Sequence, residues 1–236
     1  MADAIIETIR QQLHQFADES TRLSGQRFFK EAIQLYGVKS AMVGKISKAS
    51  FGLLREADKS AIYRLGEQLW QSGMLEESFV ICHWSYYLKN QYDATDFAVF
   101  EYWVNSYINN WASCDTLCNH SVGSCIEAFP ELMGDLKAWT SSENRWVRRA
   151  SAVSLIVPAR KGLFLTDIFE IAERLLTDGD DMVQKGYGWM LKAASQAHQS
   201  EVFDFVMQHK THMPRTALRY AIEKMPATLK AEAMKK

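Results

Sequence analysis

Four residues carry side chains whose types and spacing could do chemistry: Trp111, Asp115, Arg149 and Trp189. Trp111 and Asp115 lie four residues apart in the segment NNWASCD, so on a helix they share one face. A carboxylate can orient water or oppose a developing positive charge, an indole face attracts cations, and a guanidinium can grip a phosphate. Together these groups could stabilise positive charge beside an anion.

Taken singly, each of these side chains has a commoner structural explanation. A tryptophan on an amphipathic helix usually belongs to the core, an aspartate in a first turn serves the helix dipole, and an arginine there is commonly a surface group. The sequence contains no GxSxG elbow, Gly-rich phosphate loop, HExxH motif or CxxC pair. From the residues alone, we therefore expect only a helical binding module.

The apolar pattern predicts an all-α fold. Apolar residues recur at spacings of three and four, as in Ile9, Leu13 and Phe16, and all four prolines lie after residue 129. We expect about a dozen helices of 10–18 residues and no strands. Capping residues predict helix starts near Asn144 and Asp180, and Pro214 is expected to open the last helix.

A repeat of 36 residues links two segments of the chain. Residues 147–155 align with residues 183–191 in the pattern V-[RQ]-[RK]-[AG]-x-[AG]-[VW]-x-L. This period is typical of HEAT and armadillo helix pairs, which stack into a curved solenoid. We therefore predict a single α-helical HEAT-like repeat domain over residues 1–236, with Arg149 and Lys185 on a concave basic groove.

The charge is distributed unevenly along the chain. The whole sequence has 27 Lys or Arg against 28 Asp or Glu, a formal net charge of -1. Residues 1–136 hold 11 basic and 17 acidic side chains, whereas residues 137–236 hold 16 basic and 11 acidic ones. A row of cations on a helical surface is typical of phosphate-backbone binding, and solvated surface charge is the alternative.

Three cysteines, Cys114, Cys118 and Cys125, fall on one stripe of a predicted helix. They could bind a metal with His120, but a helical cysteine stripe is more typical of buried core, and we predict no metal site. The N-terminus lacks the layout of a secretory signal, and no apolar run reaches the length of a membrane span. We expect a cytoplasmic protein that has no membrane association.

Several motifs together resemble the AlkD-like DNA alkylation repair glycosylases, which are built from HEAT-like repeats. The motifs are YGVKS at 36–40, the W-x-x-x-D of Trp111 and Asp115, WVRRA at 146–150 and QKGYGW at 184–189. The likeness keeps the same order and spacing from about residue 28 to residue 225. Two positions depart from the family pattern: Lys39 stands where glutamine is usual, and Phe28 stands where tyrosine is usual.

The resemblance implies roles for the residues that match the family motifs. Its catalytic residues correspond here to Asp115, Trp111, Trp189 and Arg149. Contacts with nucleic acid are expected from Arg148, Lys185, Lys39 and Arg145. Trp103, Trp139, Trp146 and Tyr36 are interpreted as core residues.

The resemblance also implies an activity, the hydrolysis of the N-glycosidic bond of N3- or N7-alkylated purines in duplex DNA. The family is described as working along an open cleft without a base pocket. We expect a monomer that needs no cofactor. Two alternatives stay open: a non-catalytic HEAT-repeat protein that binds damaged or branched DNA, and a protein-binding HEAT scaffold that has no affinity for DNA.

Overall fold

The computed structural model describes residues 2–235, with side chains from residue 4 onward. In this part of the chain the regular structure is helical, apart from one isolated parallel bridge between Gln34 and Met74. The all-α class is therefore confirmed. The α-helices are, in chain order, α1 (Ala2–Gln15), α2 (Glu19–Gln26), α3 (Ser40–Gly52), α4 (Lys59–Gln71), α5 (Leu75–Tyr87), α6 (Asp96–Ser106), α7 (Trp111–Leu117), α8 (Gly123–Ala128), α9 (Met133–Ala138), α10 (Arg145–Val153), α11 (Ile156–Arg160), α12 (Leu165–Arg174), α13 (Asp181–Ala194), α14 (Gln199–His209), α15 (Arg215–Ala221) and α16 (Ala227–Met234). Shorter elements are 3₁₀ turns at Lys89–Gln91, Pro130–Leu132 and Trp139–Ser141 and a π turn at Cys118–Val122.

The chain forms two compact units. The first consists of the residues up to Asp93 together with Ser106–Leu117, and it contains α1 to α5 and α7. The second consists of Ala94–Asn105 together with the residues from Cys118 onward, and it contains α8 to α16 and almost all of α6. That the whole chain forms one repeat domain stays a prediction.

In the first unit, α5 is the central helix and packs against α3, α4 and α7. It buries apolar side chains such as Val80, Ile81 and Trp84 around its surface, as expected for a helix that has neighbours on several sides. The hydroxyls of Ser78 on α5 and Ser113 on α7 form a buried hydrogen bond of 2.7 Å. This bond, together with the apolar packing, holds α7 against α5.

In the second unit, α13 takes the central position and packs against α10, α11, α12 and α15. Tyr187, fully buried on α13, donates a hydrogen bond of 2.9 Å to the carbonyl oxygen of Leu176. Burial raises the pKa of this phenol, so it stays a neutral donor. The position of α13 is therefore fixed by both packing and a buried polar contact.

Two of the predicted helix starts are confirmed by their capping bonds. The Asn144 side chain accepts from the backbone N–H of Trp146 at 2.9 Å, and Asp180 accepts from that of Met182 at 2.8 Å. The two caps lie 36 residues apart, which supports the predicted register of α10 with α13.

Two other expectations about the helices are wrong. Pro214 does precede α15, but α15 is not the last helix, because α16 begins after Pro226. Many helices are also shorter than the expected 10–18 residues, since 3₁₀ and π turns divide the longer apolar stretches, as between α7 and α8.

The cysteine stripe belongs to the core, as predicted. Cys114, Cys118 and Cys125 are fully buried, and so is Cys82; all four carry free thiols. Within residues 2–235, no three His, Cys, Asp or Glu side chains are grouped so that they could hold a metal ion. Among the described helices, none combines the length and the apolar character that crossing a membrane requires.

Candidate functional site

Helix α7 of the first unit begins at Trp111 and carries Asp115 one turn later. Asn110 caps the helix: its backbone carbonyl accepts from the Cys114 N–H at 3.2 Å, and its side-chain oxygen accepts from the Ser113 N–H at 2.9 Å. Trp111 and Asp115 are both half-buried. The helix dipole stabilises a carboxylate in the first turn of a helix. Asp115 lies beyond that turn, so the dipole does not account for its position.

Two neighbours fix the indole of Trp111. Its Nε1 donates to the carbonyl oxygen of Phe28 at 3.3 Å, and its ring stacks on that of Phe29 with centroids 5.2 Å apart and an interplanar angle of 18°. A ligand that stacks on Trp111 must therefore use the opposite face. Phe28, whose carbonyl accepts this bond, is 72% exposed.

Lys39, the predicted backbone contact of the first unit, is exposed and directly precedes α3. The residues before it are held by the buried carboxylate of Glu76, which accepts from the backbone N–H groups of Tyr36, Gly37 and Val38 at 2.8–3.0 Å. Gly37 has φ +86°, and a Cβ there would lie 2.4 Å from a backbone oxygen. The YGV segment thus needs both the glycine and the carboxylate to present Lys39.

A second buried carboxylate, Glu77, binds side chains instead of backbone. Arg10 contacts it at 3.1 Å through Nη2, and the Tyr36 hydroxyl donates to it at 2.7 Å. Burial and this nearby carboxylate raise the pKa of Tyr36. Tyr36 is only half-buried and is anchored through its hydroxyl, so its interpretation as a core residue is wrong.

Sequence reasoning missed Glu76 and Glu77. The available signal was the acidic pair at the start of an otherwise apolar helix, LEESFVICHWSYY, because a buried carboxylate must find partners.

In the second unit, Arg149 on α10 is 4% exposed, and its Nη1 donates to the carbonyl oxygen of Met182 in the first turn of α13. The resemblance implies a phosphate grip for this residue. The structure shows a buried guanidinium whose orientation is set by the neighbouring helix.

The glycines of the QKGYGW motif let α13 approach its neighbours closely. A Cβ at Gly186 would lie 3.2 Å from Arg149 Cγ, so this glycine makes room for the arginine. A Cβ at Gly188 would lie 2.7 Å from Tyr220 Cβ and 2.8 Å from the carbonyl oxygen of Ala217, both on α15. The motif therefore serves two packing contacts at once.

The other predicted cations of this unit are already paired with carboxylates from one segment at the start of α13. Arg148 also donates to the carbonyl oxygens of Ser142 and Glu143 at 2.8 and 3.0 Å. Each of these carboxylates offsets the charge of the cation that it pairs with. The pairs are Arg145 with Asp180 at 3.2 Å, Arg148 with Asp178 at 2.6 Å and Lys185 with Asp181 at 2.9 Å.

The tryptophans of the second unit divide into one half-buried residue and several core residues. Trp189, one turn after Lys185 on α13, is half-buried. Trp146 is buried and lies 4.5 Å from the Arg145 guanidinium, an arrangement that permits a cation–π contact. Trp103 and Trp139 are buried as well, so the interpretation of these three as core residues is confirmed.

The two units thus offer different chemistry. The first brings a fixed indole and a half-buried carboxylate together on one helix, which suits a cationic group and a water molecule. The second brings Arg145, Arg148, Arg149 and Lys185 to one segment of α13, where only a small net positive charge is left.

Comparisons with known proteins agree with the motifs. Residues 9–225 match the protein family described as DNA alkylation repair enzyme. A solved structure of a predicted DNA alkylation repair enzyme from Enterococcus faecalis superposes with a TM-score of 0.80 at 16% sequence identity, covering 89% of this chain and 97% of that one. A comparison with the curated proteins finds no match. Because the family match spans most of the sequence, the chain belongs to the family of DNA alkylation repair enzymes.

Proposed function

We propose that the protein is a DNA glycosylase that hydrolyses the N-glycosidic bond of N3- or N7-alkylated purines in duplex DNA, as the first step of base excision repair. The observation that carries the proposal is the arrangement on α7, where Trp111 is fixed and Asp115 is half-buried one turn away. Family membership supplies the DNA substrate and the kind of damage.

The chemistry of the substrate suits a carboxylate. A purine alkylated at N3 or N7 carries a formal positive charge, so it is a good leaving group without protonation. The C1′–N bond breaks with its electron pair going to the base, and the sugar becomes oxocarbenium-like. Asp115 opposes this positive charge and accepts a proton from the water that attacks C1′, leaving a free neutral base and an abasic sugar.

The aromatic side chains bind the positively charged base or sugar. The half-buried indoles of Trp111 and Trp189 attract the charged base or the electron-poor sugar, an effect of about 0.5–2 kcal/mol for each ring. Stacking on Phe29 and the bond to the Phe28 carbonyl hold Trp111 in place before the substrate arrives. A platform that is ordered in advance costs less conformational entropy on binding.

The basic side chains serve the DNA backbone. We propose that Arg149 binds a phosphate next to the lesion and that Lys39, Arg145, Arg148 and Lys185 contact the backbone. Arg149 is 4% exposed, and its bond to the Met182 carbonyl sets the orientation of the guanidinium. In this scheme the protein is a cytoplasmic monomer that needs no cofactor. Its HEAT-like repeats form a basic groove that binds the DNA.

Release of free base from methylated duplex DNA tests the proposal. We expect chromatography to detect free 7-methylguanine or 3-methyladenine with the parent chain and at least about 100-fold less with Asp115→Asn, the range for losing one electrostatic contribution to the transition state. Asp204→Asn removes the same charge from an exposed position on α14 and should release base like the parent.

The same assay separates the glycosylase from its alternatives. If the parent chain binds duplex DNA but releases no base, the protein is a DNA-binding member of the family without catalysis. If it binds no duplex even at low salt, a protein-binding scaffold is favoured. Unchanged release by Asp115→Asn would contradict the role of that carboxylate.

A further inference from the structure

The four candidate DNA-binding cations of the second unit all contact one short segment, residues 178–182. Arg145, Arg148 and Lys185 pair with carboxylates of the segment 178–181, and Arg149 donates to the carbonyl oxygen that follows it, that of Met182. A carboxylate and a phosphate oxygen offer a cation the same kind of partner. The carboxylates therefore compete with DNA phosphates for these cations.

The three aspartates of this segment differ in what else they do. Asp178 also accepts the backbone N–H of Asp180 at 2.8 Å, and its side chain is 9% exposed. Asp180 caps α13, and its side chain is 21% exposed. Asp181 is the most exposed of the three at 40%, and its partner Lys185 lies one turn further along the helix. Asp181 can therefore lose its charge with the least damage to the fold.

We propose that Asp181 weakens binding to the DNA backbone by competing with its phosphates for Lys185. The inference rests on the proposed function, since it concerns how tightly a DNA repair enzyme holds the DNA backbone. A phosphate that binds Lys185 must first displace the Asp181 carboxylate. The contact then adds little net affinity and releases few counterions.

This arrangement raises the share of the binding free energy that the lesion itself supplies. Undamaged DNA offers only its backbone, and the backbone contacts of this unit are offset by carboxylates. A cationic base offers an additional attraction to the indole faces, which the aspartates of residues 178–181 do not offset. An enzyme that must search a large excess of undamaged DNA benefits from weak binding to the DNA backbone.

The salt dependence of binding to an undamaged duplex tests the inference, with variants measured beside the parent chain. Asp181→Asn keeps the shape of the side chain and removes its charge, and Asp181→Ala repeats the test with a different side chain. Glu127→Gln is the matched control, because it also removes one carboxylate from a surface pair, the one with Lys161 at 2.7 Å. A combined variant, Asp181→Asn with Lys185→Ala, lacks both the carboxylate and the cation that it binds. The reference for this combined variant is Lys185→Ala alone.

Both substitutions of Asp181 should tighten binding at 50 mM salt and steepen the slope of log K against log salt by about 0.9, the value for one added phosphate contact. Their advantage over the parent should then shrink about threefold between 50 and 200 mM salt. Glu127→Gln should bind like the parent, and the combined variant should bind no tighter than Lys185→Ala alone.

Three results would overturn the inference while the proposed function stands: an unchanged slope, an equal gain from Glu127→Gln, or a gain that survives in the combined variant. A parent chain that binds no duplex at any salt concentration would contradict the proposed function, and this inference with it.

Discussion

The two units hold their candidate functional residues with carboxylates of opposite character. In the first unit, Glu76 and Glu77 are buried and bind the backbone of the YGV segment, Arg10 and the Tyr36 hydroxyl. In the second unit, the aspartates at the start of α13 are partly exposed and bind the cations themselves. One set of carboxylates shapes the scaffold, and the other offsets the charge of the site.

The comparison shows that a carboxylate affects the protein differently when it is buried and when it is exposed. A buried carboxylate must have all its hydrogen bonds, so its loss destabilises the fold. An exposed ion pair contributes little to stability, because water and salt screen it, yet it still decides how much positive charge is offered to a ligand. Substitutions in the first unit should therefore change stability most, and those at Asp181 should change binding most.

The largest effect is expected from Glu76→Gln. The amide would replace a carboxylate that accepts three backbone N–H groups, and it would place its own N–H₂ against one of them. We expect the free energy of unfolding to fall by about 3–5 kcal/mol, measured by urea denaturation. Hydrogen exchange should show lost protection at residues 36–38. Glu56→Gln, at an exposed position of the same unit, should leave the unfolding midpoint unchanged, and an equal midpoint for Glu76→Gln would contradict the comparison.

The next largest effect is expected from Gly188→Ala, because the second unit depends on close helix packing. The added methyl group meets the α15 backbone at Ala217, so the helices must separate, at a cost of about 1–3 kcal/mol in the free energy of unfolding. Gly134→Ala is the matched control, since a Cβ there meets nothing within 4 Å and a helical alanine is favoured by about 0.5–1 kcal/mol. If both variants gain thermal stability, the close approach of α13 and α15 is not needed.

A smaller effect is expected from Phe29→Leu. Losing the ring that stacks on Trp111 should cost about 0.5–1.5 kcal/mol of stability. Phe51→Leu removes a similar ring contact, that with Tyr87, and should cost a similar amount. Only Phe29→Leu should also slow base release, on the order of tenfold, because it loosens a group that contacts the substrate. Equal release rates for the two variants would show that Phe29 does not position Trp111.

The smallest effect on stability is expected from Asp181→Asn. Both side chains of its pair with Lys185 are partly exposed, so the free energy of unfolding should change by less than about 1 kcal/mol. A loss as large as that of Glu76→Gln would remove the distinction between the two sets of carboxylates. Circular dichroism at increasing temperature measures both variants under the same conditions.

What the sequence predicts well depends on neighbours along the chain. The all-α class, the caps at Asn144 and Asp180 and the shared face of Trp111 and Asp115 all follow from spacings of two to four residues, where a few torsion angles decide the outcome. The family motifs extended this prediction to the fold of most of the chain.

What the sequence does not predict depends on partners far along the chain. Glu76 binds amides about 40 positions away, Arg148 pairs with a residue 30 positions away, and Trp111 stacks on a ring 82 positions away. Sums of charge over long segments count the cations and carboxylates but do not show which of them meet. That these cations line a concave basic groove stays a prediction.

The excision rate of Asp115→Asn tests the central claim most directly, that the first unit supplies the carboxylate that promotes hydrolysis of the glycosidic bond. The measurement is the single-turnover rate constant on a duplex with one 7-methylguanine, with enzyme in excess, together with the dissociation constant for the same duplex. We predict a rate at least about 100-fold below that of the parent chain, with a dissociation constant within about threefold of it. A rate within about twofold of the parent, for a variant that binds the duplex equally well, would contradict the claim.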